Sequence, residues 1–129
     1  MTANRVIGVD LGGTKVRAGV VDENGAVLAT IERPTITTSQ SALLDELADV
    51  VHALPQEGVR AVGFGIPTRV DVENGRAVGA AVNIPVRDVA FRAEMQERLG
   101  LPIEIENDAS CAAYAEFVFG AGHGSRDFV

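Results

Sequence analysis

Three short runs near the start of the chain are mainly apolar and rich in β-formers, and polar or glycine residues bound them: Arg5 to Asp10, Val16 to Asp22 and Ala26 to Glu32. Runs of this length, rich in valine and isoleucine and bounded by turn residues, predict strands. Gly12-Gly13 and Asn24-Gly25 supply the turns, so the runs read as an antiparallel meander. Pro34 to Gln40 is a polar, Thr-rich connector. The period then changes: Leu44, Leu47, Val51 and Leu54 recur at helical spacing, predicting an amphipathic helix from about Ser41 to Leu54. Val59 to Ile66 is expected to be a buried strand, with Gly63 and Gly65 allowing close backbone approach, and Val70 to Val78 is expected to be a short hairpin turning at Asn74-Gly75. A second helix is expected with Asp88 as its cap and Phe91, Met95 and Leu99 on one face. Gly100 and Pro102 stop it. Within it Glu94 and Arg98 are spaced for a surface pair worth a few tenths of a kcal/mol. Leu101 to Glu106 alternates as a last strand, and Asp108 opens an alanine-rich segment with Tyr114 and Phe117 that reads as a helix. The order βββαβαβα gives an α/β class with a mixed sheet, and the pattern alone allows several folds of that class.

At 129 residues the length suits one domain, and no repeat or interdomain linker divides it. A net charge of −7 argues against a nucleic-acid surface, which needs a basic patch. No apolar run reaches the length of a membrane span, and the first residues lack a signal peptide's basic and apolar regions, so a cytoplasmic location is expected. The single cysteine, Cys111, rules out an internal disulfide and is expected to pack as a small apolar residue. His52, on the first helix, has no partner at metal-ligand spacing and is expected at the surface.

Two stretches carry candidate chemistry, each where an apolar run stops abruptly at polar residues. In Asp10-Leu-Gly-Gly-Thr-Lys15 the glycines allow a phosphate to approach backbone N–H groups, Thr14 adds a hydroxyl and Lys15 a positive charge. Asp10 would suit a magnesium ion or its water shell rather than bare phosphate. A Walker loop is excluded: Thr14-Lys15 reverses the required order, and a strand follows where a helix should. The dinucleotide fingerprint is excluded because Gly63-Phe-Gly65-Ile-Pro-Thr68 breaks at its last position. An ordinary glycine hairpin with a solvated lysine fits these residues as well. The second stretch, Ile105-Glu-Asn-Asp-Ala109, puts Asn107 and Asp108 at a strand-to-helix junction, where ligands collect in α/β sheets. A carboxylate there suits a general base toward a hydroxyl; helix capping is the alternative for the same residue types.

The blocks also occur in a telling order: Asp10-Leu-Gly-Gly-Thr-Lys15, then Gly65-Ile-Pro67 with Val70-Asp71, Asn83-Ile-Pro85, Leu101-Pro102 leading to Glu106-Asn-Asp-Ala109, and Gly120-Ala-Gly122. In this the chain resembles the amino-terminal lobe of a ROK-family sugar kinase of the bacterial glucokinase type, over nearly its whole length. The resemblance implies a ribonuclease H-like lobe of the actin/hexokinase-like fold, with the second lobe lying beyond residue 129. It implies ATP-dependent phosphorylation of a hexose, glucose first, by the complete protein, and an inactive lobe in isolation. Asp10, Gly12, Gly13, Thr14 and Lys15 match the first phosphate motif, Asp108 the base, and Asn83, Asn107 and Asp108 the sugar-binding positions. ATP and Mg2+ are implied cofactors, with a structural zinc in the other lobe. A sugar and a nucleotide are the implied partners, with neither nucleic acid nor membrane, in a homo-oligomer. Thr68-Arg69 departs from the Gly-Pro common in the family, Val86 from an aromatic, and Ser110-Cys111 from the usual small or amide residues. These departures touch the choice of sugar, leaving N-acetylmannosamine, fructose and allose open, with polyphosphate open as donor. The other implied class is the sugar-sensing lobe of a ROK transcriptional regulator. Those proteins carry a helix-turn-helix ahead of this lobe, and here the phosphate motif is expected too close to Met1 for one.

Overall fold

The computed structural model describes residues 4–81 and 83–107. The first three strands are β1 (Arg5–Leu11), β2 (Lys15–Asp22) and β3 (Val27–Pro34), followed by helix α1 (Gln40–His52) and strand β4 (Val59–Ile66). Three short strands come next, β5 (Arg69–Asp71), β6 (Arg76–Ala80) and β7 (Arg87–Val89). Helix α2 (Phe91–Leu99) and strand β8 (Ile103–Asn107) complete the described elements. The main sheet has the order β3-β2-β1-β4-β8. Strands β1, β2 and β3 are antiparallel neighbours, whereas β4 runs parallel to both β1 and β8. This is the mixed sheet expected of the meander and its parallel continuation. The expected last helix and the Gly120–Gly124 loop lie outside the described residues.

One face of the sheet holds the core. Ile7, Val9 and Leu11 of β1, Val16, Ala18 and Val20 of β2, Val62, Phe64 and Ile66 of β4, and Ile103 and Ile105 of β8 are all buried in one cluster. Helix α1 brings Leu43, Leu44, Leu47, Val50 and Val51 against them, and α2 brings Phe91 and Met95. The rings of Phe64 and Phe91 meet edge to face at 5.2 Å, the geometry their quadrupoles favour. Ser39 caps α1, its hydroxyl accepting from the Ala42 N–H at 3.0 Å. Arg98 Nη1 lies 2.8 Å from Glu94, as their spacing predicted, and its Nε lies 2.9 Å from Asp45, which ties α2 to α1. His52 is exposed. Among the described residues no helix is long and apolar enough to cross a membrane.

A second sheet of order β5-β6-β7 was only half foreseen. The Asn74-Gly75 hairpin is present, and β7 is an addition, since three residues with two charges give no periodic signal. The assignment of Asp88 as a helix cap is overturned. Asp88 lies within β7 at φ 40°, and the N-cap of α2 is Ala90, without a side-chain bond. Backbone supplies what the side chain does not: the Arg92 N–H, in the first turn, donates to the Gly75 carbonyl at 3.0 Å. Arg92 also reaches over the turn to the carbonyls of Val72 and Glu73. In the same turn Asp71 accepts from the Asn74 side chain at 2.7 Å and from its backbone N–H at 3.2 Å. Those bonds, the side-chain one first, hold the Asp71 carboxyl below its ordinary value. A depressed carboxylate favours the fold at neutral pH, and that contribution is lost as pH falls through the lowered value.

Gly75 is the tightest point of this docking. Its φ is 69°, and a Cβ there would sit 2.7 Å from Arg92 Cβ. Gly25, at φ 85°, has open space around it. Gly25→Ala should therefore cost about 1–2 kcal/mol for the left-handed backbone alone. Gly75→Ala should cost measurably more, by the ~1–3 kcal/mol typical of overpacking. Denaturant unfolding of the two variants checks this, and equal losses would contradict the docking.

Candidate functional site

Parallel pairing brings the carboxyl ends of β1, β4 and β8 to one edge of the sheet. Asp10 pairs with Gly65, and Gly65 with Glu106, so these three occupy one row. With strands about 4.8 Å apart, the end of β1 lies roughly 10 Å from the end of β8. The loop Gly12–Thr14 leaves the first strand at this edge, and Asn107 closes the last. Between them β4 gives way to Pro67 and Thr68. In open α/β sheets this edge is where ligands bind. Two expected groups, the Asp10–Lys15 loop and Asn107, thus come together there. Asn83 lies on the connection from β6 to β7, exposed and in the left-handed region at φ 69°. Asp108 follows Asn107 directly in sequence and lies outside the described residues.

The first loop is built more specifically than its glycines suggested. The Gly12 N–H is spent inside the hairpin, donating to the Lys15 carbonyl at 2.9 Å. A Cβ on Gly12 would lie 2.9 Å from that same oxygen, so glycine is required for the closure, not for a turn conformation. Thr35, beyond the end of β3, holds the loop from one side. Its hydroxyl donates to the Gly12 carbonyl and its N–H to the Thr14 carbonyl, both at 2.9 Å. In a planar trans peptide the N–H points opposite to the C=O. The N–H groups of Gly13 and Lys15, on those same two peptides, therefore point away from Thr35. Two donors turned to the same side, with only Thr14 between their residues, can take an anion. Thr35 was missed from sequence because nothing in the run Thr35-Ile-Thr-Thr38 singles out one threonine.

Lys15 is half exposed, its ammonium 3.6 Å from Glu32, which also accepts from Arg17 at 2.7 Å. Exposed pairs of this kind are worth about 0–1 kcal/mol, too little to hold Lys15 against a phosphate. An open hollow of about 270 Å3 lies beside it, lined by Thr14, Lys15, Glu32, Arg33 and Pro34.

At the other end of the site, the Asn107 side-chain N–H donates to the carbonyl of Thr68. Thr68 is itself buried, and its hydroxyl donates to the Val78 carbonyl at 3.0 Å. In the sequence Thr68 stands out only as a departure from a family pattern. Its contact with Asn107, 39 residues along the chain, has no local signature.

Residues 6–129 match the ROK family. The chain belongs to the ROK family. It is 42% identical over 124 residues to a glucokinase of Streptomyces coelicolor, covering 95% of this chain and 38% of that protein. It is 37% identical over 112 residues to an N-acetyl-D-glucosamine kinase of Vibrio cholerae, covering 84% of this chain and 36% of that one. A ROK glucokinase of Streptomyces griseus, solved with glucose and AMPPNP, superimposes with a TM-score of 0.77 at 39% identity. That match covers 94% of this chain and 38% of the other. The chain thus spans well under half the length of these three relatives, and its mixed sheet is that of the ROK fold.

The Gly12 closure makes a direct prediction. Gly12→Ala should force the hairpin mouth apart and speed hydrogen exchange at the residue-12 amide at least about tenfold. Gly13→Ala, whose Cβ meets nothing within 4 Å, should leave that amide protected. NMR-detected exchange distinguishes the two, and equal protection in both variants would contradict the closure.

Proposed function

We propose that this chain is the amino-terminal lobe of a two-lobe ROK sugar kinase. The complete protein transfers a phosphoryl group from ATP to a hydroxyl of a hexose, glucose first. One observation carries this reading: the anion-ready loop after β1 and the end of β8 share the same edge of the sheet, two strands apart. The family's kinases that resemble this chain over nearly its full length support it.

The residues present fit the nucleotide and its metal. The N–H groups of Gly13 and Lys15, the Thr14 hydroxyl and the Lys15 charge form a set of donors for phosphate oxygens. Asp10 offers a hard oxygen of the kind Mg2+ or its water shell accepts. Bound there, ATP supplies the phosphoryl group and Mg2+ countercharge for it. Asp108 would take the proton of the attacking sugar hydroxyl as its oxygen bonds to the γ-phosphorus and the bond from that phosphorus to the departing ADP breaks. Asn107 and Asn83 hold sugar hydroxyls. Phosphoryl transfer depends chiefly on positioning, and half of a cleft positions little.

Thr68-Arg69 and Val86 depart from the glucokinase pattern and bear on which hexose is taken, with N-acetylmannosamine, fructose and allose as the alternatives to glucose. A coupled assay of the complete protein with ATP and a panel of hexoses tests the reading, with glucose expected to be turned over. No turnover of any hexose would overturn it. In the same assay Asp108→Asn should lower turnover by at least ~10²-fold while sugar affinity changes little. Near-normal turnover would return Asp108 to a helix-capping role. Residues 1–129 alone should show no significant turnover, and activity comparable to the complete protein would contradict the two-lobe reading.

A further inference from the structure

The small sheet ends in a hydrogen-bonded chain that leads to Asn107. In the β6–β7 ladder Ala77 pairs with Val89 and Ala80 with Arg87, so Val78 and Gly79 stand opposite Asp88 alone. Two residues facing one is a bulge, and a bulge leaves ladder groups without their usual partners. Here side chains take over at both ends of the Val78–Gly79 peptide. The Gly79 N–H donates to Asp88 Oδ1 at 2.6 Å, and the Thr68 hydroxyl donates to the Val78 carbonyl at 3.0 Å. Thr68 passes the order on, its own carbonyl accepting from Asn107 Nδ2.

Backbone strain and burial both mark this chain. Asp88 sits at φ 40°, a region costly for a non-glycine residue, and Gly79 at φ 75°. The Arg76 guanidinium donates to the Asp88 carbonyl at 3.1 Å, which fixes the residue from its other side. Thr68 is the buried polar side chain among the described residues, 7% exposed. A buried hydroxyl with a satisfied bond specifies one arrangement.

We infer that Thr68 is a positioning residue for sugar recognition, orienting Asn107 through its carbonyl and itself fixed by the bulge and Asp88. This rests on the kinase reading above. Because a carbonyl only accepts, the Asn107 amide must turn its NH2 group toward Thr68. Its Oδ1 is then left to face outward, beside Asp108 in sequence, as an acceptor for a sugar hydroxyl's proton. Thr68 touches neither sugar nor phosphate; it sets which end of Asn107 is offered.

The test is steady-state kinetics of the complete protein with glucose and ATP. Thr68→Val keeps the β-branched shape and removes the hydroxyl. It should raise KM for glucose about tenfold, the value of roughly one well-placed hydrogen bond, with KM for ATP unchanged. Thr68→Ser, which restores the hydroxyl, should recover most of that loss. If Thr68→Val does not fold, Asp88→Ala at the exposed end of the chain decides, with a rise of about threefold expected in KM for glucose alone. Asn107→Ala separates the two layers of the argument. If it leaves KM for glucose unchanged, the sugar site itself is misplaced and the function reading fails there. If it raises KM while Thr68→Val, or Asp88→Ala in its stead, does not, only the positioning role is overturned. Equal effects of Thr68→Val and Thr68→Ser, or a matching rise in KM for ATP, would overturn it too.

Discussion

Strand β4 pairs in parallel with β1 on one side and β8 on the other, and the Asp10–Lys15 loop and Asn107 sit at the ends of the two flanking strands. Parallel pairing fixes which ends meet. Had β8 run the other way, Asn107 would lie at the far edge of the sheet from Asp10. The pairing is held by burial: Val62, Phe64 and Ile66 alternate into the core, and Ile103 and Ile105 pack beside them. Slipping β8 by one residue would turn both isoleucines out of the core and Glu104 and Glu106 in. The hydrophobic pattern therefore sets the position of the site to the residue.

Around this edge, two devices convert a sheet end into a shaped surface. Thr35 pulls two carbonyls of the first loop to one side and so directs two N–H groups to the other. The bulge in the small sheet, with Thr68 and Asp88 at either side of one peptide, reaches the side chain of Asn107. Both devices use short polar side chains on backbone groups, where a single bond can fix orientation without adding charge. Helix α2 supports the second device from behind, through Arg92 on the hairpin turn and its first-turn amide on Gly75.

The large features were legible in the sequence for a physical reason. The valine- and isoleucine-rich runs of β1 and β2, the mainly apolar run of β4 and the 3.6 period of α1 each record burial, and burial is local in sequence. Asn24-Gly25, Asn74-Gly75 and Gly100 were legible because left-handed backbone selects such residues, and all three glycines have positive φ. Asp88 misled because Asp before an apolar run is an ordinary cap signal, and the competing demand came from a bulge formed nine residues earlier. Thr35 and Thr68 were illegible as positioning residues, since their partners lie 23 and 39 residues away and threonine carries no marker of that use. The Asp10–Lys15 loop was read correctly as a hairpin, but the role of Gly12 differs. It makes room for the Lys15 oxygen rather than for a ligand.

The central claim is that sugar and nucleotide meet at the carboxyl edge of β1, β4 and β8. Hydrogen–deuterium exchange of the complete protein, with and without glucose and a non-hydrolysable ATP analogue, tests it most directly. The account predicts new protection in three separated stretches of this chain, around residues 12–15, 67–68 and 105–108, with glucose alone protecting the last two. Protection confined to the β3 edge or the outer face of α1, with that edge unchanged, would contradict it.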